Sequence, residues 1–215
     1  MRTIAKRSAA VAVAAAAAAL AVAAPTAAQG PTSAPAVIDE GHVDVFGVAY
    51  EDGALDLHIH DDENDAEHAP SEALLRVNAA AETTVPAGYD FLGTVGDDVW
   101  ILPDTNVEGL LFAGWASEEV PAGAFVDDTL TLTVHDAWGD VDLYTVDDLG
   151  DPTVLFDSDE GPGSWEIGAG GHGHLNWAFG EAGFYRLTAE AEGVLAATGE
   201  TVSTGEVDYW FYVAD

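Results

Sequence analysis

Two pairs of histidines, each with one residue between its members, carry the clearest chemical signal in the sequence: His172 with His174, and His58 with His60. Alternate side chains of an extended strand project from the same face, so each pair would present two imidazoles whose Cα atoms are about 6–7 Å apart. Two imidazoles on one face can share a divalent ion of the zinc class if the fold supplies a third ligand. The spacing therefore predicts candidate sites for a divalent transition metal, zinc or manganese.

A structural interpretation of these histidines stays open. His172 and His174 could instead cap a strand through hydrogen bonds, and the glycines around them fit either a ligand site or a β-bulge. By alternation, His58 and His60 lie opposite the apolar side of their strand, which also describes an ordinary exposed face. His42 is a further candidate ligand because the first and last strands of a sandwich often meet.

Acidic segments at residues 61–68 and 157–161 suggest calcium, which takes several carboxylate and carbonyl oxygens. Neither segment has the ligand spacing of a calcium-binding loop. Because the chain has 39 Asp and Glu residues, some acidic clusters arise by chance. Solvated acidic loops are therefore the favoured interpretation of both segments.

The six tryptophans suggest either glycan binding by exposed aromatic rows or core packing, where tryptophan buries a large area. Three lie on strands predicted for the core: Trp100, Trp177 and Trp210. Two lie in turn-like contexts and are predicted to be exposed: Trp138 and Trp165. The weaker candidates for ligand contacts are Asn176, Trp115 and Trp138.

Composition and motifs argue against several other functions. The 39 acidic and 5 basic residues give a net charge of −34, which would repel nucleic acid and anionic membrane surfaces. With 48% hydrophobic residues the chain can nevertheless build a core. It has no cysteine, Gly-x-Ser-x-Gly elbow, His-Glu-x-x-His motif or phosphate-binding loop, and no carboxylate pair stands out by its spacing. We therefore predict that the protein is not an enzyme.

The first 28 residues resemble a secretory signal peptide: three basic residues, a short apolar run rich in alanine, and small residues near Ala28. A membrane helix is the alternative, but the run is short and is followed by Pro25. Residues 29–38 are predicted to be a flexible leader and residues 39–215 a single domain. We expect a secreted, extracellular protein without membrane insertion after signal removal.

The elements that must position the candidate ligands are short strands. Alternating segments at 42–50 and 54–60 flank Asp52-Gly53, a strong hairpin signal, and a second pair at 129–135 and 141–146 flanks Gly139. Further strands are predicted at 73–78, 98–102, 110–115, 154–157, 184–191 and 207–213. Without helical periodicity, this pattern predicts an all-β fold, an immunoglobulin-like antiparallel β-sandwich.

The segment Gly171–Leu187, GHGHLNWAFGEAGFYRL, also carries a family resemblance. Smaller motifs agree with it in order: His42-Val43-Asp44, Phe91-Leu92-Gly93, Val99–Pro103, Gly114-Trp115 and Val154–Ser158. Together they resemble the actinobacterial surface-anchored domains of the choice-of-anchor M group. Members of that group are often encoded beside metal-type ABC transporters and carry repeats of the domain on the cell wall. This chain departs in having a single copy and no C-terminal anchor.

The resemblance implies an extracellular module linked to metal acquisition, with a metal ABC transporter system or a cell-wall component as partner. We accordingly expect a secreted, non-catalytic module of the cell envelope that binds a divalent transition metal through His172 and His174, joined by His42, His58 or His60. The alternative is a structural or adhesive module of the cell surface that binds protein or cell-wall glycan without a specific metal.

Overall fold

The structure, a computed structural model, describes residues 34–215, which form strands and three short 3₁₀ helices. The strands are β1 (Ala36–Ile38), β2 (Gly41–Glu51), β3 (Ala54–Asp61), β4 (Ala66–His68), β5 (Ala73–Val77), β6 (Glu82–Thr84), β7 (Asp98–Leu102), β8 (Leu111–Glu119), β9 (Phe125–Trp138), β10 (Val141–Val146), β11 (Pro152–Asp157), β12 (Gly163–Gly168), β13 (His172–His174), β14 (Asn176–Phe179), β15 (Gly183–Leu195), β16 (Thr201–Ser203) and β17 (Val207–Val213). The 3₁₀ helices are Pro70–Glu72, Ala79–Ala81 and Asp90–Leu92. Residues 34–215 contain no α-helix, which confirms the all-β class.

The strands form three sheets. The large sheet has the order β1-β5-β17-β15-β9-β12, with β16 also paired to β15. The site sheet, which carries the candidate ligands, has the order β13-β8-β2-β3-β4, and the third sheet has the order β11-β10-β14-β7-β6. Three pairs are parallel, namely β1 with β5, β5 with β17 and β2 with β8. The prediction of a purely antiparallel arrangement is therefore wrong at these pairs, each of which joins strands that are not consecutive in the chain.

All three sheets contribute to one core. Phe46 of the site sheet, Trp177 of the third sheet and Tyr209 of the large sheet are fully buried. Their aromatic rings pack together, with centroids 5.3 Å apart for Phe46 and Trp177 and 5.1 Å apart for Phe46 and Tyr209. Because aromatic side chains bury large areas, this cluster fixes the site sheet against its neighbours. The predicted core position of Trp177 is confirmed.

The first predicted hairpin is confirmed. Strands β2 and β3 pair antiparallel around Asp52 and Gly53. Both turn residues have positive φ, 50° and 84°, as a two-residue type I′ turn requires. The turn sets the register as far as the Gly47–His58 pair. A bulge between Asp44 and Gly47 then shifts it by one residue, so Asp44 lies opposite His60 on the face that carries His58.

The second predicted pair is wrong. Strand β9 pairs with β12 and β15 in the large sheet, whereas β10 pairs with β11 and β14 in the third sheet. Since both edges of β9 are occupied, the chain crosses to another sheet at Gly139, whose φ is 105°. A Cβ atom there would lie 2.4 Å from the Tyr185 ring, so only glycine fits this close crossing.

The predicted boundary between a flexible leader at residues 29–38 and the domain from residue 39 is wrong at residues 36–38. The predicted signal peptide, residues 1–28, lies outside the described residues, as does the first part of the predicted leader. Ala36–Ile38 is not a flexible leader but a strand paired with β5, and Ile38 is 4% exposed. Within residues 34–215, no helix has the length and apolar character needed to cross a membrane.

Candidate metal centre

Three histidines meet on the outer face of the site sheet. His42 comes from β2, and His172 and His174 come from β13, on the other side of β8. The Nε2 atoms of His42 and His172 are 3.0 Å apart. The ring centroids of the three histidines lie 4.8 to 5.0 Å from one another, and each histidine offers one nitrogen within 4.8 Å of the other two. The predicted association of His42 with His172 and His174 is thus present in the structure.

A glycine on the intervening strand makes this approach possible. Gly114 of β8 lies opposite both Asp44 and His174 in the sheet register. A Cβ atom on Gly114 would lie 2.5 Å from the carbonyl oxygen of Gly173 and 2.8 Å from Nδ1 of His174. Without a side chain at this position, the β13 backbone and the imidazole can sit directly over β8.

A buried carboxylate completes the group. Asp44 is 3% exposed, and its Oδ1 atom lies 3.1 Å from Nε2 of His172 and 3.7 Å from Nε2 of His42. Despite these distances, this oxygen makes no hydrogen bond within the described part of the chain. A tetrahedral zinc ion with ligand bonds of about 2.0–2.1 Å has ligand–ligand edges of about 3.4 Å. The two nitrogens and this oxygen therefore have the mutual separations of ligands around one ion.

The surroundings orient two of the rings. Nδ1 of His42 donates a hydrogen bond to Oδ2 of Asp62, which leaves Nε2 of His42 directed at the centre. This is the carboxylate–histidine arrangement that commonly supports metal-bound imidazole. The ring of His174 stacks on Phe112, with centroids 3.3 Å apart and planes inclined by 13°. A side chain packed in this way has lost its rotational freedom before any ligand binds.

Burial and charge adjust the protonation of the centre. Burial lowers the pKa of His174 to about 4, so this imidazole is neutral at physiological pH, the form that binds metals. Burial also raises the pKa of Asp44, against the opposing effect of the charges on His172 and His42. The hydrogen bond from His42 lowers the pKa of Asp62.

The other predicted histidines lie on the same face but outside the three-histidine group. His60 is at its edge, with Nδ1 3.8 Å from Oδ2 of Asp44 and Nε2 3.7 Å from Oδ1 of Asp62. His58 joins a different group, with Glu67 and Glu119. The two members of this His-x-His pair thus have different surroundings.

None of the weaker ligand candidates belongs to the three-histidine group. Asn176 is 6% exposed, and its side chain accepts a hydrogen bond from the Asp104 backbone and donates one to the Tyr144 carbonyl. Trp115 is half-buried beneath Gly171 and Gly173. Trp138 is 59% exposed, as predicted, on the large sheet.

Two other tryptophan predictions fail in part. Trp210 is 38% exposed, so its predicted core position is wrong: its side chain lies on the outer face of the large sheet. Trp165 is only half-exposed, because it packs against Phe46 with centroids 6.3 Å apart.

The acidic segments form local turns. Asp157 accepts a hydrogen bond from the backbone of Asp159, and Asp61 accepts one from the side chain of Asn64. Each bond is of the short-range kind that stabilises a turn.

Asp44 is the candidate ligand that the sequence did not predict. Its signal was available, because His42-x-Asp44 has the same alternate spacing as the histidine pairs and so places both side chains on one face of β2. Gly114 and Phe112 carried no comparable signal, since their contacts with His174 arise only when β13 pairs with β8.

Comparison with known proteins adds no assignment: no protein-family model matches the chain, and no curated protein matches it.

Proposed function

We propose that the protein is a secreted, non-catalytic binding module that holds a divalent transition metal, zinc or manganese, with His42, His172, His174 and Asp44. The observation that carries the proposal is the meeting of three imidazoles and a buried carboxylate without a hydrogen bond to its Oδ1 atom. Nitrogen-rich donor sets of this kind suit ions of the zinc class.

The wider assignment rests on the sequence. The resemblance to actinobacterial surface-anchored domains supports a role in the cell envelope beside a metal ABC transporter, and the basic, then apolar, N-terminal residues support secretion. An immunoglobulin-like sandwich remains our proposal for the fold family, supported by the all-β composition and by Phe46 and Trp177 packing between sheets.

Metal analysis of the full chain tests this function. Protein stripped with a chelator and reloaded with zinc or manganese should retain an ion at the centre after dialysis in high salt, which suppresses diffuse binding to the acidic surface. The His172→Ala, His174→Ala double variant should lose that ion. The control is His135→Ala, which removes a half-exposed imidazole that bonds Glu190 instead. If the double variant keeps the same ion content as the parent chain, the site assignment is wrong.

A specific surface also supports the adhesive alternative. On the outer face of the large sheet, Arg186 lies directly between Trp138 and Trp210, and Phe184 lies beside Tyr212 with centroids 4.9 Å apart. We call these five residues the aromatic platform. Flat aromatic faces flanking a guanidinium suit a cell-wall glycan, because sugars can stack on the rings. One NH₂ group of Arg186 donates to Asp136, and its remaining donors can contact sugar hydroxyl groups.

Retention on purified cell wall tests this second candidate. The parent chain should bind saturably, and the Trp138→Ala, Trp210→Ala variant should bind at least tenfold more weakly. Leu149→Ala is the matched control, since Leu149 is 87% exposed and lies outside the platform. Equal retention of the platform variant and the parent would rule out a role for this surface.

A further inference from the structure

A second group of potential ligands lies on the same face of the site sheet. His58 of β3, Glu67 of β4 and Glu119 of β8 each offer one donor atom within 4.8 Å of the other two. The three side chains come from different strands, with β2 between β8 and β3. None of the three belongs to the three-histidine centre. Like that centre, this group takes its potential ligands from more than one strand.

The imidazole of this group is built into the sheet. His58 is 9% exposed, whereas both glutamates are exposed. Its ring lies over Gly47 of β2, where a Cβ atom would be 2.6 Å from Nε2 of His58. Gly47 thus makes room for His58 in the same way that Gly114 makes room for His174. At both positions, an imidazole lies over a glycine of the neighbouring strand.

A cavity opens beside His58. It has a volume of about 80 Å³, and its lining includes His58, Gly47 and Glu119. Since a single water needs only about 10–15 Å³ of such space, an ion with several bound waters fits. Asp44 and His60 also line the cavity, so it reaches the edge of the three-histidine centre.

We propose that His58, Glu67 and Glu119 form a second divalent-cation site. One imidazole and two carboxylates make a harder donor set than the three imidazoles and one carboxylate of the first site, so this site suits manganese better. The exposed glutamates and the cavity leave coordination positions for water. An ion bound here would be held by fewer protein ligands than one at the first centre, and we expect it to exchange faster.

Manganese titration of the full chain tests the proposal, with the loss of the free Mn²⁺ signal in electron paramagnetic resonance as the readout. High salt is included to suppress diffuse binding. The parent should bind two ions. The Glu67→Gln, Glu119→Gln variant should bind one, or bind the second at least tenfold more weakly. Both substitutions are at exposed side chains, so the fold should persist, and His58→Ala should act in the same direction.

The control is Glu118→Gln, at an exposed neighbour that lines the same cavity but is not one of the three ligands. Unchanged binding by the glutamine variant, or an equal loss in the control, would overturn the second site. So would a parent that binds a single ion which the His172→Ala, His174→Ala variant loses. Failure of the first site has a different signature, because the His172→Ala, His174→Ala variant would then bind as many ions as the parent.

Discussion

Replacing Asp44 with asparagine should have opposite effects on the metal-free and the metal-loaded protein. The carboxylate is 3% exposed, and its Oδ1 atom has no hydrogen-bond partner in residues 34–215. A buried, incompletely paired carboxylate destabilises a fold, whereas an amide of the same shape carries no charge. The same oxygen lies 3.1 Å from Nε2 of His172, where it would complete the coordination of an ion.

The expected magnitudes follow from these two roles. In the metal-free protein, Asp44→Asn should raise the free energy of unfolding by about 1–2 kcal/mol, because the buried position no longer holds an incompletely paired charge. Zinc at about 100 times its Kd should stabilise the parent by about 2.7 kcal/mol. Loss of one charged ligand should weaken zinc binding at least a hundredfold, or about 2.7 kcal/mol, which removes nearly all of that gain. The order of stability of the two proteins should therefore reverse when zinc is added.

Thermal unfolding with and without zinc, together with calorimetric titration, measures both effects. A change of 1 kcal/mol shifts the Tm of a domain of this size by about 2–4 °C, which is readily resolved. Asp61→Asn is the matched control: Asp61 is also 3% exposed, but the side chain of Asn64 donates it a hydrogen bond. The reasoning is refuted if Asp44→Asn gains as much stability from zinc as the parent, or if the control weakens zinc binding equally.

Three further predictions concern the region around the site and the charge of the fold. Gly114→Ala should lower the free energy of unfolding by about 1–3 kcal/mol and weaken zinc binding, because its Cβ atom would displace Gly173 or His174; denaturant unfolding and titration measure this. Burial raises the pKa of Asp142 to about 8 in the fold, while the unfolded chain loses this proton near pH 4. The free energy of unfolding should therefore fall as the pH rises from about 4 to about 8, by at most about 1.4 kcal/mol per pH unit. Asp142→Asn should flatten this decline in unfolding experiments. Finally, at a net charge of −34, Tm should rise as salt shortens the Debye length from about 30 to about 3 Å, and a constant Tm would contradict this.

The local parts of the fold were predictable, and the sheet assignments were not. Strand β7 and the β2–β3 hairpin follow from alternation and from Asp52-Gly53, which are signals within a few residues. The β9–β10 pairing failed because Gly139 resembles a hairpin turn in sequence. Whether a chain turns back or crosses to another sheet depends on which edges are already occupied, and only the folded structure shows that β9 is paired on both sides.

The same limit applies to the site. Alternation correctly placed His172 and His174 on one face, since that property belongs to a single strand. The contribution of His42 depends on the parallel pairing of β2 with β8. The grouping of His58 with Glu67 and Glu119 depends on the pairing of β3 with β2 and β4. Ligands from distant strands are brought together by register, which has no short-range signal in one sequence.

The charge of the chain acts differently on the two candidate surfaces. Apart from the N-terminal segment, the only basic side chains of the sequence other than histidine are Arg76 and Arg186. Both belong to the large sheet, where Arg186 lies within the aromatic platform and Arg76 pairs in register with Tyr212.

The site sheet carries no lysine or arginine, and carboxylates surround both groups of ligands. Because charges are screened beyond about 8 Å at physiological salt, each surface responds to its own neighbours rather than to the total charge. The site sheet should therefore attract divalent cations, while the platform holds one cationic side chain, Arg186, whose guanidinium is already paired with Asp136. Since the ligand residues and the platform residues lie on different sheets, substitutions in one should leave binding at the other unchanged.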